Sequence, residues 1–405
     1  MRGINFRWRT FFLAWGFVYA FFVVPFWLLP SRKEVDPKEL LDHLNPRNAT
    51  HPANGSSSPD FTYTLKYQGK DLKIKRLLTD RSMPSLQERL TPPVAGSPKK
   101  FILSMSAFQA ENLGGCPDFN CEVTLTFKQG IKYDALINFN ERAIDNFTGY
   151  YLFSTQESPP NSDIFKELEY NMSIGYRHDS PASSPYGYAV ELAEKKDLKE
   201  VVDMEIIKKK KKGGYWLVSH CSTDSKRELL VAELQKYINV DILGSCGKPC
   251  EKGGKCEDSS EYHFYMALEN SLCKEYITEK LWKTGFQGNA IPIVLKRSIV
   301  EEFVPPKSVI AFDDYKSVEE MARHLKELMD DKEKYLEYFK WRENYAIIFL
   351  DGAHHDVLER PWGICQLCRL LHLDPRPQYR IPNLDEHWSR SCESGEEFVK
   401  KLING

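Results

Sequence analysis

The sequence has no surplus of positive charge. Its 55 lysines and arginines are offset by 57 aspartates and glutamates, a formal charge of −2, so it lacks the basic footprint of a nucleic-acid binder. No internal repeat is present, which leaves out solenoids and propellers. Apolar runs long enough for several bilayer crossings are missing, so the chain is not a polytopic membrane protein. Ten cysteines in 405 residues are too sparse for a small disulfide scaffold, yet numerous for a cytosolic enzyme. What is present is ordinary globular material. With 42% apolar and 13% aromatic residues the chain can bury a large core, and its length suits two or three domains.

One long apolar run does exist. Phe11 to Pro30 reads FFLAWGFVYAFFVVPFWLLP, with Arg2, Arg7 and Arg9 before it and Arg32 and Lys33 after it. As a helix it matches the roughly 30 Å hydrocarbon core of a bilayer. A cleaved signal peptide would have a shorter apolar core and a small-residue cleavage site, and neither is present. The basic flanks are nearly even, so orientation rests on the residues C-terminal to the run. Four N-x-S/T sequons (Asn48, Asn54, Asn146, Asn171) and all ten cysteines lie after the span, which favours a lumenal body in an oxidising compartment. The expected layout is a cytoplasmic tail (1–10), a signal-anchor (11–30) and everything else in the secretory lumen, as in a single-pass type II Golgi membrane enzyme.

Residues 31–99 hold eight prolines and the segment HPANGSSSPD, and read as a stem. Two alternating stretches inside it, at Tyr63–Tyr67 and Leu72–Lys75, suggest a small hairpin. From Lys100 the pattern changes to short apolar strands, at 101–105, 123–127, 135–139 and 150–154. A second run of strands at 215–219, 240–243, 262–268, 291–295 and 309–312 alternates with amphipathic helices at 227–238, 279–287 and after Ser317, whose Glu320 completes a capping box. Lys208–Lys212 reads as a solvated loop. Such alternation means parallel sheets covered on both faces, with ligands at the carboxyl ends of the strands. An α/β fold of two Rossmann-like domains facing a cleft is expected, one over 100–205 and one over 206–360. The segment 361–405 is expected to return to the first domain.

The most informative stretch is Tyr262 to Gln287, YHFYMALENSLCKEYITEKLWKTGFQ. A strand leads into the polar loop Glu269-Asn270-Ser271, and Tyr276-Ile-Thr-Glu-Lys280 opens a helix. With Thr278 as N-cap, backbone N–H groups and the positive helix end point into the cleft. Lys280 adds a full charge, and Asn270 and Tyr276 add donors. Two readings stand: a pyrophosphate site without a glycine-rich loop, or a capped helix with a solvated lysine.

This stretch resembles the donor-binding signature of the α1,3-fucosyltransferases, glycosyltransferase family 10. Other segments match the same family in order: Gln156-Glu-Ser-Pro159, Gly175-Tyr-Arg-His-Asp-Ser180 through Pro185-Tyr-Gly187, Trp216–Cys221 with Arg227, Val240–Gly244, Tyr335–Arg342, and Trp362-Gly-Ile-Cys365-x-x-Cys368. The resemblance covers about residues 100–370. Cys246, Cys250, Cys273 and the segment 351–362 look most like the invertebrate core α1,3-fucosyltransferases.

The resemblance implies a GT-B architecture and inverting transfer of L-fucose from GDP-β-L-fucose to a sugar hydroxyl. Glu157 would be the general base, with partial burial suiting it to the task. Arg227 and Lys280 would neutralise the departing GDP, the arginine as a bidentate fork. Asn270, Tyr276, Thr278 and Glu279 would complete the donor site. Three positions depart from the family pattern: Leu268 replaces a phenylalanine, His220 an asparagine, and Lys296 a glycine that would let the backbone approach the nucleotide.

The resemblance also implies that Cys116 and Cys121 pair with Cys365 and Cys368. A zinc ribbon or a redox C-x-x-C are the alternatives, the first disfavoured by the lumen and the second by the lack of a thioredoxin-like context. Cys221, Cys246, Cys250, Cys256, Cys273 and Cys392 supply further bridges whose pairing spacing does not assign. His354-His355-Asp356 invites a metal reading, but adjacent histidines point in different directions. No metal site and no tightly bound cofactor is expected, a divalent cation being at most stimulatory.

The expected function is α1,3-fucosylation of the core GlcNAc of N-glycans on glycoproteins, with GDP-fucose as donor, the membrane reached through one helix, and no nucleic-acid partner. The rivals are a Lewis-type enzyme acting on antennal N-acetyllactosamine and an inactive glycan-binding relative.

Overall fold

Apolar runs of three to six residues, buried along most of their length, set the architecture. In this computed structural model, residues 62–404 are described, apart from 80–83, 106–111, 140–143, 145, 163–167, 251–258 and 353–355. The expected tail, the apolar run 11–30, Asn48, Asn54, Cys256, His354 and His355 lie outside the described residues. Among the described residues no helix is long and apolar enough to cross a membrane.

The chain begins with the hairpin β1 (Tyr63–Tyr67) and β2 (Lys70–Leu77). It continues through β3 (Lys100–Ser104), β4 (Cys121–Thr124), β5 (Ala135–Ile137), β6 (Tyr150–Thr155), β7 (Met172–Gly175) and β8 (Gly187–Leu192). The second half supplies β9 (Lys212–Leu217), β10 (Val240–Leu243), β11 (Tyr262–Met266), β12 (Leu272–Cys273), β13 (Ile291–Val294), β14 (Ile310–Ala311), β15 (Tyr345–Phe349) and β16 (Cys392–Glu393).

Two five-stranded sheets carry the fold, in the orders β4-β3-β5-β6-β7 and β10-β9-β11-β13-β14, and every pairing within them is parallel. The first buries Ile102, Ala135, Leu152 and Ile174 under Ile364, Leu367 and Leu371 of the helix Gly363–Leu371. The second is covered on both faces. Phe264, Met266 and Ile293 meet Leu230, Leu234, Met321 and Leu325 on one side, and Tyr265 and Val294 meet Leu281 and Val300 on the other. The helix Val318–Asp330 forms where its spacing predicts: Ser317 Oγ accepts from Glu320 N at 3.2 Å, and Met321, Leu325 and Leu328 are buried. The α/β class and the two parallel sheets agree with expectation.

Four features differ. First, residues 62–99 are not an extended stem. The hairpin joins an antiparallel sheet β1-β2-β8-β15, where Leu65, Leu72, Ile74, Leu77 and Leu86 share a core with Val190, Ile348 and Trp362. Second, that sheet draws β8 and β15 from the two halves of the chain. Gly187 lets β8 pass close to the Trp282 indole, whose ring atoms would lie 2.8 Å from any Cβ there. Third, the C-terminal segment serves both halves. Gly363–Leu371 covers the first sheet, whereas Gly395–Asn404 packs Val399 and Leu402 into the core of the second. The lysine run is also not a solvated loop. Met204–Lys209 is helical, β9 opens at Lys212, and Lys210 is buried, donating to Tyr262 O at 2.6 Å.

Four disulfides tie these parts together: Cys116–Cys365, Cys121–Cys368, Cys221–Cys246 and Cys273–Cys392. Cys250 is also disulfide-bonded. The two N-to-C bridges consume the four sulfurs that a zinc ribbon would need, leaving His372 Nε2 4.0 Å from Cys121 Sγ with no thiolate beside it.

The first two bridges run side by side and close loops separated by 249 and 247 residues. With one formed, the other closes a ring of only roughly eight residues, so their effects on chain entropy overlap. Replacing Cys121 and Cys368 by serine should therefore lower the unfolding free energy by about 2 kcal/mol, and removing both bridges by about 8 kcal/mol, read by chemical denaturation. Equal increments for the first and second removal would contradict the nested-loop account.

Candidate active site

The carboxyl ends of the strands place the chemistry. β6 runs directly into Gln156 and Glu157, β7 into Arg177-His178-Asp179, β11 into Glu269, and β13 into Lys296. The loop from Leu268 to Lys280 contains Glu269 and contacts Glu157, His178 and Asp179, with Lys296 beside it.

Its carbonyls are satisfied by side chains and backbone of the loop before the helix Arg227–Leu234. Ser225 Oγ donates to Glu269 O at 2.7 Å and Ser225 N to Asn270 O at 2.9 Å. One guanidinium NH2 group of Arg227 donates to Leu268 O and the other to His220 O, the latter at 3.2 Å. The guanidinium lies 5.4 Å from the Trp216 ring centroid and is 2% exposed. Burial lowers its proton affinity, with Glu269 and Glu228 opposing. Arg227 is therefore buried as a clamp between two loops. The bidentate fork expected for phosphate is turned instead toward backbone carbonyls, and Nε is the guanidinium nitrogen left without a hydrogen-bond partner.

Glu269 organises the helix start. It accepts from Thr278 N at 2.7 Å and from Thr278 Oγ1 at 2.9 Å, and its Oε2 lies 3.1 Å from Lys280 Nζ. Thr278 caps the helix as expected, its Oγ1 accepting from Lys280 N at 3.4 Å while its hydroxyl hydrogen goes to Glu269, and its carbonyl accepts from Leu281 N and Trp282 N. The following turn, Lys280–Gly285, is a wide π-type helix, a geometry that recurs at functional sites. Lys280 also pairs with Glu279 at 3.2 Å. Burial works against its charge, and Glu269 and Glu279 more than reverse that, so the ammonium is held above its ordinary value. The lysine is not simply solvated, and its charge is shared by two carboxylates.

Across the cleft, Ser158 and Ser271 hydroxyls meet at 2.9 Å with Asn161 Nδ2 donating to both. Tyr276 OH donates to Glu157 Oε2 at 3.2 Å. The Tyr276 ring is 2% exposed and packs 4.8 Å from Tyr176. Burial, reinforced by Glu269, pushes its phenol far up, so it remains a donor. Glu157 itself is exposed rather than partly buried. Tyr186 OH donates to Gln156 O at 2.7 Å, fixing the backbone just before it. Glu275, in the left-handed region at φ 61°, accepts from His178 N at 2.5 Å, and this turn aims Tyr276 at Glu157.

The structure thus brings Glu157, Arg227, Asn270, Tyr276, Thr278 and Lys280 onto one loop and its immediate contacts. Glu279 stands at the edge, touching Lys280. Asn270 Oδ1 is buried without a hydrogen-bond partner. Leu268 is fully buried in the apolar core beside Phe264, and His220 is exposed. Sequence reasoning missed Ser158, Ser225, Ser271 and the organising part of Glu269. The signal for Glu269 was its place between a buried strand and a helix start. Of the sequons, Asn146 is exposed. The Asn171 amide is engaged at both ends, accepting from Tyr151 N at 2.7 Å and donating to Tyr379 O at 2.9 Å.

Residues 207–388 match the family described as glycosyltransferase family 10 (fucosyltransferase), C-terminal. The chain is 45% identical over 352 residues to the alpha-(1,3)-fucosyltransferase fut-1 of Caenorhabditis elegans, covering 84% of this chain and 81% of that protein. It is 37% identical over 200 residues to the human 3-galactosyl-N-acetylglucosaminide 4-alpha-L-fucosyltransferase FUT3, covering 48% of this chain and 54% of that one. A crystal structure of an alpha1,3-fucosyltransferase with GDP-fucose aligns with a TM-score of 0.45 at 17% identity, over 70% of this chain and 92% of that one.

The two carboxylates around Lys280 differ in burial, with Glu269 at 11% and Glu279 at 47% side-chain exposure. Glu269→Gln should destabilise the protein by about 2–4 kcal/mol, because a buried network loses its charge partner. Glu279→Gln should stay within about 0.5 kcal/mol of the parent. Chemical denaturation of both variants checks this, and equal losses would refute the central place given to Glu269.

Proposed function

The chain belongs to glycosyltransferase family 10, the fucosyltransferases, and we propose that it transfers L-fucose from GDP-β-L-fucose in α1,3 linkage to the core GlcNAc of N-glycans, with inversion at C1, on a GT-B scaffold. The observation that carries the reading is the meeting of Glu157 and Tyr276 at 3.2 Å. It sets an exposed carboxylate from the first parallel sheet against the loop that carries Lys280 and that Arg227 clamps.

In the proposed reaction the acceptor O3 attacks fucose C1 from the face opposite the nucleotide. Its proton passes to the Glu157 carboxylate, the new C1–O3 bond forms, and the C1–phosphate oxygen bond breaks with its electron pair leaving on GDP. Tyr276 holds one carboxylate oxygen and leaves the other for the acceptor hydroxyl. Lys280 supplies cationic charge where negative charge grows on the departing pyrophosphate. Arg227 contributes by fixing the loop and by its field, since its amino groups are bonded to Leu268 and His220 carbonyls. Asn270, half-buried on the same loop, belongs to the donor site in this scheme. A divalent cation is a stimulant at most in this scheme.

The bridges Cys116–Cys365, Cys121–Cys368, Cys221–Cys246 and Cys273–Cys392 support an oxidising compartment. With the apolar run 11–30 they underlie the proposal of a type II Golgi membrane enzyme with a lumenal body. Overlap with mammalian relatives named as 4-galactosyl-N-acetylglucosaminide 3-alpha-L-fucosyltransferases favours antennal lactosamine as the second reading.

Offering GDP-fucose with a core-exposed N-glycan and, separately, with N-acetyllactosamine decides the acceptor. Fucose on the core glycan is the expected result, and labelling of lactosamine alone would replace it with the second reading. Glu157→Gln should reduce kcat by about 10²–10⁴-fold while GDP binding persists. Loss of GDP binding instead would move Glu157 out of the base role.

A further inference from the structure

We infer that Lys296, in the position where the family pattern has a glycine, is an exchangeable phosphate-binding cation that Glu393 holds in reserve until the anionic donor arrives. The inference rests on the proposed use of GDP-fucose and adds a named ligand group to that site.

Three observations converge on it. Lys296 follows β13 at the carboxyl edge of the second parallel sheet and sits beside the donor loop, lining with Glu269, Ser271 and Tyr276 a mainly apolar crevice of about 20 Å³ that is too small to hold the donor itself. The other cations on and beside that loop are already engaged, Lys274 with Asp179 at 3.3 Å. Lys280 is shared by Glu269 and Glu279 at 3.1 and 3.2 Å, and both amino groups of Arg227 bond backbone carbonyls. Lys296, by contrast, is paired with a carboxylate that belongs to a strand outside the loop. Its Nζ lies 2.5 and 2.6 Å from the two oxygens of Glu393, which opens to solvent at 59% side-chain exposure.

Chemistry favours exchange. The Glu393 end of the pair is open to water, which competes for the carboxylate and lowers the net stability of the pair, although Lys296 is only 21% exposed. A pyrophosphate presents more negative charge than one carboxylate, so it attracts the same cation more strongly. Glu393 is itself fixed beside the cleft: it pairs with Leu272 in the β12–β16 ladder, and the neighbouring Cys392 is disulfide-bonded to Cys273. The carboxylate therefore stays in place when the lysine leaves, and it remains available to take the lysine back once GDP departs. Glu393 acts as a competitor for the donor, which gives the two residues opposite effects on affinity.

That opposition is the test. GDP binding by calorimetry and the KM for GDP-fucose are measured on the full disulfide-bonded protein for the parent, Lys296→Ala, Lys296→Arg, Glu393→Gln and the Ala/Gln double variant, with uncharged guanosine as a second probe. Lys296→Ala should weaken GDP about tenfold, the effect of losing a charge-assisted hydrogen bond, and Lys296→Arg should restore most of it. Glu393→Gln should tighten GDP about two- to threefold, the double variant should match Lys296→Ala, and guanosine binding should not change. Weakening of GDP by Glu393→Gln in step with Lys296→Ala, or a matching loss for guanosine, would show that the pair merely latches the C-terminal strand and would overturn the inference. An unchanged GDP affinity in Lys296→Ala would overturn it as well. A parent protein that fails to bind GDP at all would instead remove the proposed function, and the inference with it.

Discussion

A loop at the carboxyl edge of a parallel sheet has carbonyl groups with no strand to receive them, and in this protein distant side chains supply the partners. Between Leu268 and Lys280 the carbonyls of Leu268, Glu269 and Asn270 accept from Arg227 and Ser225. Ser271 meets Ser158, Cys273 is covalently joined to Cys392, Glu275 accepts from His178, and Tyr276 donates to Glu157. Buried polar groups must be satisfied. The loop therefore takes this shape only when the two parallel sheets and the C-terminal strand are all in place. The site and the fold are stabilised by the same contacts, and the residues that look catalytic are also the residues that hold the sheets' ends together.

This arrangement explains how charge is distributed. Placing an unpaired lysine or arginine in a cleft lined by Tyr276, Ile277 and Leu281 is costly, so each cation is given a partner. Arg227 has carbonyls and the Trp216 face, Lys280 has Glu269 and Glu279, and Lys296 has Glu393. The partners differ in how firmly they hold. Glu269 is nearly buried and also bonds Thr278, whereas Glu393 is mostly in solvent. A graded set of partners lets one cation serve structure and another answer a ligand.

Much of the architecture was legible because parallel strands buried on both faces show as short apolar runs. β13 and β10 fall where the pattern puts them, and the Ser317 cap and its helix arise from local hydrogen bonding. The antiparallel sheet was not legible as a sheet. The hairpin β1–β2 shows its alternation, yet its partner β8 lies more than a hundred residues away, and β8 pairs onward with β15. Composition misled at the same place, since prolines on either side of the hairpin suggested an extended stem. Lys210 misled in another way: five lysines in a row look solvated, but the third reaches inward to the Tyr262 carbonyl.

Residue type and order along the chain determined the α/β class, the strand-to-helix turn carrying Tyr276 to Lys280, and the family to which the chain belongs, because these are written in local periodicity and short motifs. Tertiary structure decided what each side chain does there. Arg227 faces carbonyls rather than solvent, Glu269 joins Thr278 at the helix start, and Lys296 leans on Glu393. Those outcomes depend on which distant groups arrive within hydrogen-bonding distance, and distance between segments is a property of the packed chain that no local pattern encodes.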